Sequence, residues 1–367
     1  MRGPCYGREV TSVPRHAPVG PAHDTPARLA ALGVAGAWDV VRTLDETSWA
    51  RFVDRHRSGS IFHTPEMHRV LAQTRNHRPS VWAAVDGDGR IGALMTPVTI
   101  ATIGGPLRRL TTRVVAFAEP LFDDPEALRA LLETYRRDAP RSALFTEVRN
   151  LGDTGDGAAV LTEAGFRHER HLNFLIDLTP PEDELWGRVS AGARRNVQKA
   201  RRLGVLIEEA EDQAGIAAAY EVLLQVYRRI RVPLPDRSLF EAAHRVLGPL
   251  GRFRMLLARL DGRTVGALSL LFHRDVVTYW YTGTLREHAT CRAGDLLVAH
   301  AIELGRSLGC RVMDLGGAGR PDEPYGVRDF KAKYGGRLVD FGRDVWVPSP
   351  GRLRLATAGY RLLRRFL

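Results

Sequence analysis

Apolar positions follow two rhythms along this chain, and from Ala37 onward each stretch is bounded by turn or cap residues. Asp45-Glu46-Thr47-Ser48-Trp49 predicts a helix of about ten residues. Thr64 before Pro65 predicts the N-cap of a second. Ser80 to Val85 and Ile91 to Ile100 are strand-like runs on either side of Asp86-Gly87-Asp88-Gly89, a hairpin signature.

The same hairpin recurs 174 residues on, where Gly92 is matched by Gly266. Asp88-Gly89-Arg90-Ile91-Gly92-Ala93-Leu94 reads beside Asp261-Gly262-Arg263 followed by Val265-Gly266-Ala267-Leu268. A helix from Leu128 to Arg137 and a strand from Ala143 to Val148 are echoed by a helix from Leu296 to Leu308 and a strand from Cys310 to Leu315. Hairpin, helix and strand repeating in order predict a duplicated α/β unit. We expect a disordered extension over residues 1–36, a first unit over 37–170 completed by 345–367, and a second over 171–344.

Between the repeats, Thr179-Pro180-Pro181-Glu182 starts a helix expected to run to Leu203, where Gly204 ends it. Trp186, Val189, Ala193, Val197 and Ala200 form its apolar stripe. Arg188, Arg195, Lys199 and Arg202 form a basic stripe with no acidic residue in it, open both to a solvated face and to a polyanion. A further helix is expected from Asp236 to Leu247. The tail from Gly351 is amphipathic, with Leu355, Leu362 and Phe366 on one face. Docking on its own domain and contact with a membrane surface both stay open.

Composition narrows the classes. The 367 residues are 44% hydrophobic and 26% charged, with no apolar run near the roughly 20 residues of a membrane helix. Residues 1–36 hold five prolines and no apolar core typical of a secretion signal. Cys5, Cys291 and Cys310 cannot all pair and lack metal-ligand spacing, which implies a reducing cytoplasm and no zinc. A net charge of +11 favours an acidic partner, although a general preference for arginine contributes to it.

Of the 53 basic residues only Lys199, Lys331 and Lys333 are lysine. Two of the three therefore fall in Tyr325-Gly326-Val327-Arg328-Asp329-Phe330-Lys331-Ala332-Lys333-Tyr334-Gly335-Gly336. Lysine is a compact point charge where arginine is a broad fork, and a single developing oxyanion calls for the former. The plainer reading is a cationic helix end capped by glycine.

These pieces in this order resemble the Fem family (FemA, FemB and FemX) and the wider Fem-like N-acyltransferases over roughly residues 37–347. The carriers are Ile61-Phe62-His63-Thr64-Pro65-Glu66, Arg194-Arg195-Asn196-Val197-Gln198-Lys199-Ala200, Met313-Asp314-Leu315-Gly316-Gly317 and Asp329 to Gly336. The resemblance implies an α/β fold of tandem duplicated GNAT-like domains, with mixed, mostly antiparallel sheets flanked by helices. It implies that Phe330 and Lys331 steady a tetrahedral intermediate. Asp123 matches the family's functional aspartate, though Glu119 stands where the pattern has glycine. Arg229 is implied to grip a substrate phosphate, with Arg228 and Arg231 as rivals, and Tyr279 or Tyr281 to face the cleft. Arg195, Lys199 and Lys333 are assigned to substrate contacts.

The stretch Ala289 to Asp295 has one glycine and an aspartate where a CoA-binding loop would cradle pyrophosphate. We therefore expect aminoacyl-tRNA as donor and an amine as acceptor, a peptidoglycan precursor or a small metabolite, with no cofactor and no metal. The protein is expected to be a cytoplasmic monomer, with peripheral contact at the inner membrane face open. The alternatives are an N-acyltransferase using acyl-CoA or an acyl carrier, and a non-catalytic basic module on an anionic membrane.

Overall fold

The computed structural model describes residues 38–101, 111–139 and 143–363. The chain begins with β1 (Asp39–Val41), the helix Glu46–Arg55 and the helix Pro65–Ala72. Asp45 accepts from Ser48 N at 2.8 Å and Thr64 Oγ1 from Met67 N at 3.2 Å, so both expected caps form. Then follow β2 (His77–Pro79), β3 (Trp82–Val85), β4 (Ile91–Met95), β5 (Pro97–Ala101), β6 (Thr112–Ala116) and β7 (Leu121–Phe122). The helix Pro125–Asp138 leads to β8 (Thr146–Arg149), and a short helix to β9 (Arg167–Glu169).

The second half runs from β10 (Leu172–Asp177) and β11 (Leu206–Glu209) through β12 (Phe253–Leu260), β13 (Arg263–His273) and β14 (Val276–Thr284). The helix Ala293–Ser307 leads to β15 (Val312–Gly317), and β16 (Arg337–Asp340) follows. Last comes β17 (Arg343–Trp346), before the helix Pro350–Leu363.

Among the described residues these strands make three sheets, ordered β1-β3-β4-β7, β2-β5-β6-β8-β17-β9 and β11-β12-β13-β14-β15-β10-β16. The duplication is visible in the pairing. In each half an antiparallel hairpin leads to a strand, a crossover helix and a parallel return strand: β6 with β8, and β14 with β15. In the second half the hairpin β12–β13 is continuous. In the first it is broken into β2/β3 and β5/β4 at Pro79-Ser80 and Thr96-Pro97, where prolines remove ladder donors and Ser80 N bonds Pro97 O at 2.9 Å. The inner half of that hairpin, β3 with β4, then belongs to a different sheet from its outer half, β2 with β5.

The two halves share a core. Phe62, Met67, Val70 and Leu71 pack with Leu223, Phe240, Phe253 and Leu271 in one buried cluster. The segment after the second half also returns, since β17 inserts between β8 and β9. A groove between the halves is therefore walled by interlocked elements.

One helix differs from expectation. Residues 182–202 form two helices, Glu182–Arg188 and Ala191–Arg202, because Val189 turns extended and Ser190 caps a fresh start, accepting from Ala193 N at 3.2 Å. Arg194 closes the break by donating to Trp186 O at 2.8 Å and Val189 O at 2.9 Å. The basic stripe is also less bare than its spacing implied, because Arg188 pairs with Glu184 at 2.5 Å. In the C-terminal helix, Arg352 donates to Ala143 O while Leu355 is 73% exposed, so the expected shared apolar face does not bury Leu355.

Candidate functional site

The second half carries a fork. β14 and β15 pair in parallel only from Val276 to Thr278 against Val312 to Asp314. Beyond that, β14 stays with β13 and β15 with β10. Two irregularities hold the fork open. Trp280 is an extra residue on β14 between Tyr279 and Tyr281, where Ser269 Oγ accepts from Tyr281 N at 2.9 Å. On β15 the extra residue is Leu315, and Asp314 Oδ1 accepts from Gly316 N at 2.7 Å while Gly316 takes φ 73°.

Lys331 closes the fork from the helix Gly326–Ala332. Its side chain is buried, and Nζ donates to Gly317 O at 2.7 Å and sits 6.0 Å from the Tyr279 ring centroid. Burial pushes its pKa down to about 8, against the pull of Asp314, which favours the charged form. Burial likewise raises the Asp314 carboxyl, with Gly316 N and Lys331 opposing. The helix is anchored through Tyr334, whose OH donates to Asp295 Oδ1 at 3.0 Å, and through Phe330, whose ring meets that of Tyr334 at 5.4 Å. Lys333 lies over the Phe330 ring at 5.3 Å, and its carbonyl accepts from Ser190 N.

The first half supplies the opposite wall. A cavity of about 210 Å³ beside the fork is lined by Phe62, Phe117, Arg149, Tyr279, Asp314 and Gly317 among others. A second, of about 240 Å³, meets it at Phe62, Leu151, Thr278 and Asp314 and adds Glu119 and His273. Glu119 is buried, accepts from Leu151 N at 2.8 Å, and has its carboxyl raised by burial. Its backbone carbonyl accepts from His63 Nε2 at 2.7 Å, while His63 Nδ1 accepts from Ser60 N. Burial holds His63, His171 and His273 down at about 4, so at neutral pH these rings bring no charge to the groove.

Of the residues chosen from sequence, Lys331, Tyr279 and Tyr281 lie at the fork, Lys331 outside the walls of these cavities; Phe330 packs on Tyr334 instead. Both tyrosines line the 210 Å³ cavity, and Tyr281 also lines a neighbouring one of about 390 Å³. Arg195 and Lys199 lie on the outer face of the helix Ala191–Arg202, exposed and half-buried. Arg229 is exposed in the last turn of the helix Gln213–Ile230, outside the walls of these three cavities. Asp123 is also outside them and pairs with Arg55 at 2.6 Å; the helix cap next to it is Asp124. Sequence reasoning passed over Arg113, Arg149, Arg343 and Glu119 as lining residues, and used Asp314 only as part of a motif. Glu119 had a signal, as the one charged residue in Ala116-Phe117-Ala118-Glu119-Pro120-Leu121.

The helix after β14 carries a buried acidic side chain in its first turn, where a CoA pyrophosphate would meet like charge. The N–H groups of Asp295 and Leu296 both go to Arg292 O, and the Asp295 carboxylate is buried there, held by Tyr334 and by Asn196 Nδ2 at 3.3 Å. Among the described residues no group of three His, Cys, Asp or Glu side chains is gathered tightly enough for a metal ion, and no helix is long and apolar enough to cross a membrane.

Residues 187–331 match the acetyltransferase (GNAT) domain family. Among solved structures, the chain is similar to FemX at 16% identity, covering 84% of this chain and 97% of that one, with a TM-score of 0.64. The fold is the tandem GNAT fold that FemX also has. Other structures sharing it are the C-terminal domain of a lysylphosphatidylglycerol synthetase from Agrobacterium fabrum, at 17% identity, 87% and 96% coverage and TM-score 0.55, and a tandem GNAT protein from the clavulanic acid pathway, at 13%, 86% and 99% and TM-score 0.55. Comparison with curated protein sequences finds no match. The tandem GNAT fold agrees with the acetyltransferase (GNAT) domain match over residues 187–331.

A buried lysine with a depressed pKa sets a pH prediction for such an enzyme. Lys331 is charged below about 8 and loses its proton as pH rises through that value. Single-turnover transfer should therefore show a descending limb near pH 8, and Lys331→Arg, which does not titrate there, should remove the limb. A limb unchanged in that variant would assign the ionisation to another group.

Proposed function

We propose that this chain transfers an aminoacyl group from aminoacyl-tRNA to an amine acceptor, either a peptidoglycan precursor or a small metabolite. The observation that carries the reading is the buried Lys331 ammonium at the β14/β15 fork, held by Gly317 O. The acceptor amine attacks the ester carbonyl, so a C–N bond forms and the carbonyl oxygen becomes an anion. Lys331 donates to that oxygen. Collapse breaks the ester C–O bond, and the proton lost by the amine ends on the ribose oxygen. Tyr279, Tyr281 and Phe330 shape the slot, and Arg195, Lys199 and Lys333 lie on surfaces suited to a nucleic-acid backbone. Residues 37–170 with 345–367 form the first unit in this reading, and 171–344 the second. The protein works in the cytoplasm, with the basic C-terminal helix as its contact with an anionic membrane face.

The acetyltransferase family match favours a second reading, N-acyl transfer from acyl-CoA. The deciding experiment offers the purified chain a charged tRNA pool or acyl-CoA, with labelled acyl groups and a mixture of amines. Label leaving tRNA in an RNase-sensitive way supports the first reading. Transfer from acyl-CoA alone rejects it.

A further inference from the structure

The six-stranded sheet turns one face toward the second half, and three neighbouring strands put an arginine on it. Arg113 is on β6, Arg149 on β8 and Arg343 on β17, the last two directly opposite one another. Like charges in that position destabilise a strand pair. Glu147, two residues before Arg149 and so on the same face, offsets part of this: it accepts from Arg149 Nε at 2.7 Å and Arg343 NH1 at 3.2 Å. Arg113 feels the Glu147 charge, but its Nε is buried without a hydrogen-bond partner. Three guanidinium groups against one carboxylate leave a surplus of two positive charges.

The crowding shows in Arg113 and Arg343. Burial pushes Arg113 below its ordinary value, with Arg149 adding to the effect, and burial does the same to Arg343. Burial works against the Glu147 carboxylate, yet Arg149 and Arg343 hold it below its usual range, so it is already ionised. His171, next to Arg343, is kept neutral. Asp236, across the larger cavity, lies 3.7 Å from Arg75. The sequence from Ala101 to Thr112, which leads into β6, contains no Asp or Glu that could neutralise the cluster.

These arginines line open space. Arg113 and Arg149 face the 390 Å³ cavity, and Arg149 and Arg343 face the 210 Å³ cavity beside the β14/β15 fork. Phe117 and Tyr281 belong to both. We propose that Arg113, Arg149 and Arg343 bind a doubly charged oxyanion carried by a small-molecule acceptor, a phosphate monoester or a pair of carboxylates, whose attached body rests on Phe117 and Tyr281. Guanidinium forks suit such groups, the charge balances, and a cavity of this size suits a small molecule. The word acceptor rests on the transfer reading; the anion site does not.

The test is binding of inorganic phosphate and of malonate to the full chain, by calorimetry and thermal shift, against chloride at equal ionic strength. Wild type is expected to bind one of them saturably. Arg113→Gln should weaken binding about tenfold or more, and Glu147→Gln, which frees two guanidinium groups, should tighten it. Arg343→Gln should weaken it too, but leaves Glu147 short of a partner; Arg113→Gln does not, and so serves if that variant misfolds. Arg263→Gln, on an exposed strand end, should match wild type. Phosphate above malonate identifies a phosphate ligand, and the reverse a dicarboxylate; either supports the site. No binding beyond chloride, or binding unaltered in Arg113→Gln and Glu147→Gln, overturns it. No acyl donor is present, so a negative result leaves the transfer reading standing.

Discussion

Lys331→Met lowers single-turnover acyl transfer by about 10²–10³-fold, the usual cost of removing one donor to a developing oxyanion. The protein should still fold. Burial already disfavours the ammonium, its bond to Gly317 O is a single one, and a methionine of similar length fills the same apolar slot. The Asp314 carboxyl, raised by burial, is pushed further in that direction when the cation is gone. Lys331→Arg should recover part of the rate, because it restores a charge in a broader shape. The linked stability effect has a definite sign. The folded-state pKa lies below the ordinary lysine value, so wild type gains stability as pH rises from about 8 toward that value, and Lys331→Met loses this slope. Transfer at the wild-type rate in a folded Lys331→Met protein would remove the oxyanion role altogether.

Gly335→Ala destabilises the fold by about 3 kcal/mol and lowers transfer with it. Gly335 has φ 73°, and an added Cβ would lie 2.7 Å from Arg188 Cβ and 2.8 Å from Arg188 O. Backbone on one side and a packed helix on the other leave no soft neighbour to yield. The chain just past Lys331 must therefore move, and Tyr334 is drawn from Asp295. Gly251→Ala is the informative contrast. Gly251 has φ 67° but nothing within 4 Å of the new Cβ, so it should cost only the backbone strain, about 1 kcal/mol. Equal melting temperatures for the two variants would mean that the approach to Arg188 is relieved at little cost.

Much of the fold was readable where a local rule and the final structure agree. The Asp-Gly turns placed the β3–β4 and β12–β13 hairpins, and Asp45 and Thr64 marked the caps they do form. The repeat was legible because each βαβ return is built from its own stretch of chain. The helix break at Val189 was missed because a regular apolar stripe runs across it, and nothing local says that Arg194 will turn back to hold the carbonyls. Spacing put Leu355 on an apolar face but left open what would cover it, because a helix presents such a face whether or not the fold supplies a partner; here Leu355 is exposed.

The sequence by itself determined the class of protein and the identity of its unusual cation. Scarce lysine in an arginine-rich chain singled out Lys331 and Lys333, and hairpins and caps act over a few residues, where chain connectivity does the positioning. Only the tertiary structure decided what Lys331 faces and which arginines cluster on the other wall. The fork comes from one-residue irregularities in two strands, which no periodicity records. Arg113, Arg149 and Arg343 meet because β17 returns to the first sheet across the whole second half. Among so many arginines, burial and like charge on adjacent strands distinguish these three, and both are properties of the folded surface rather than of any stretch of sequence.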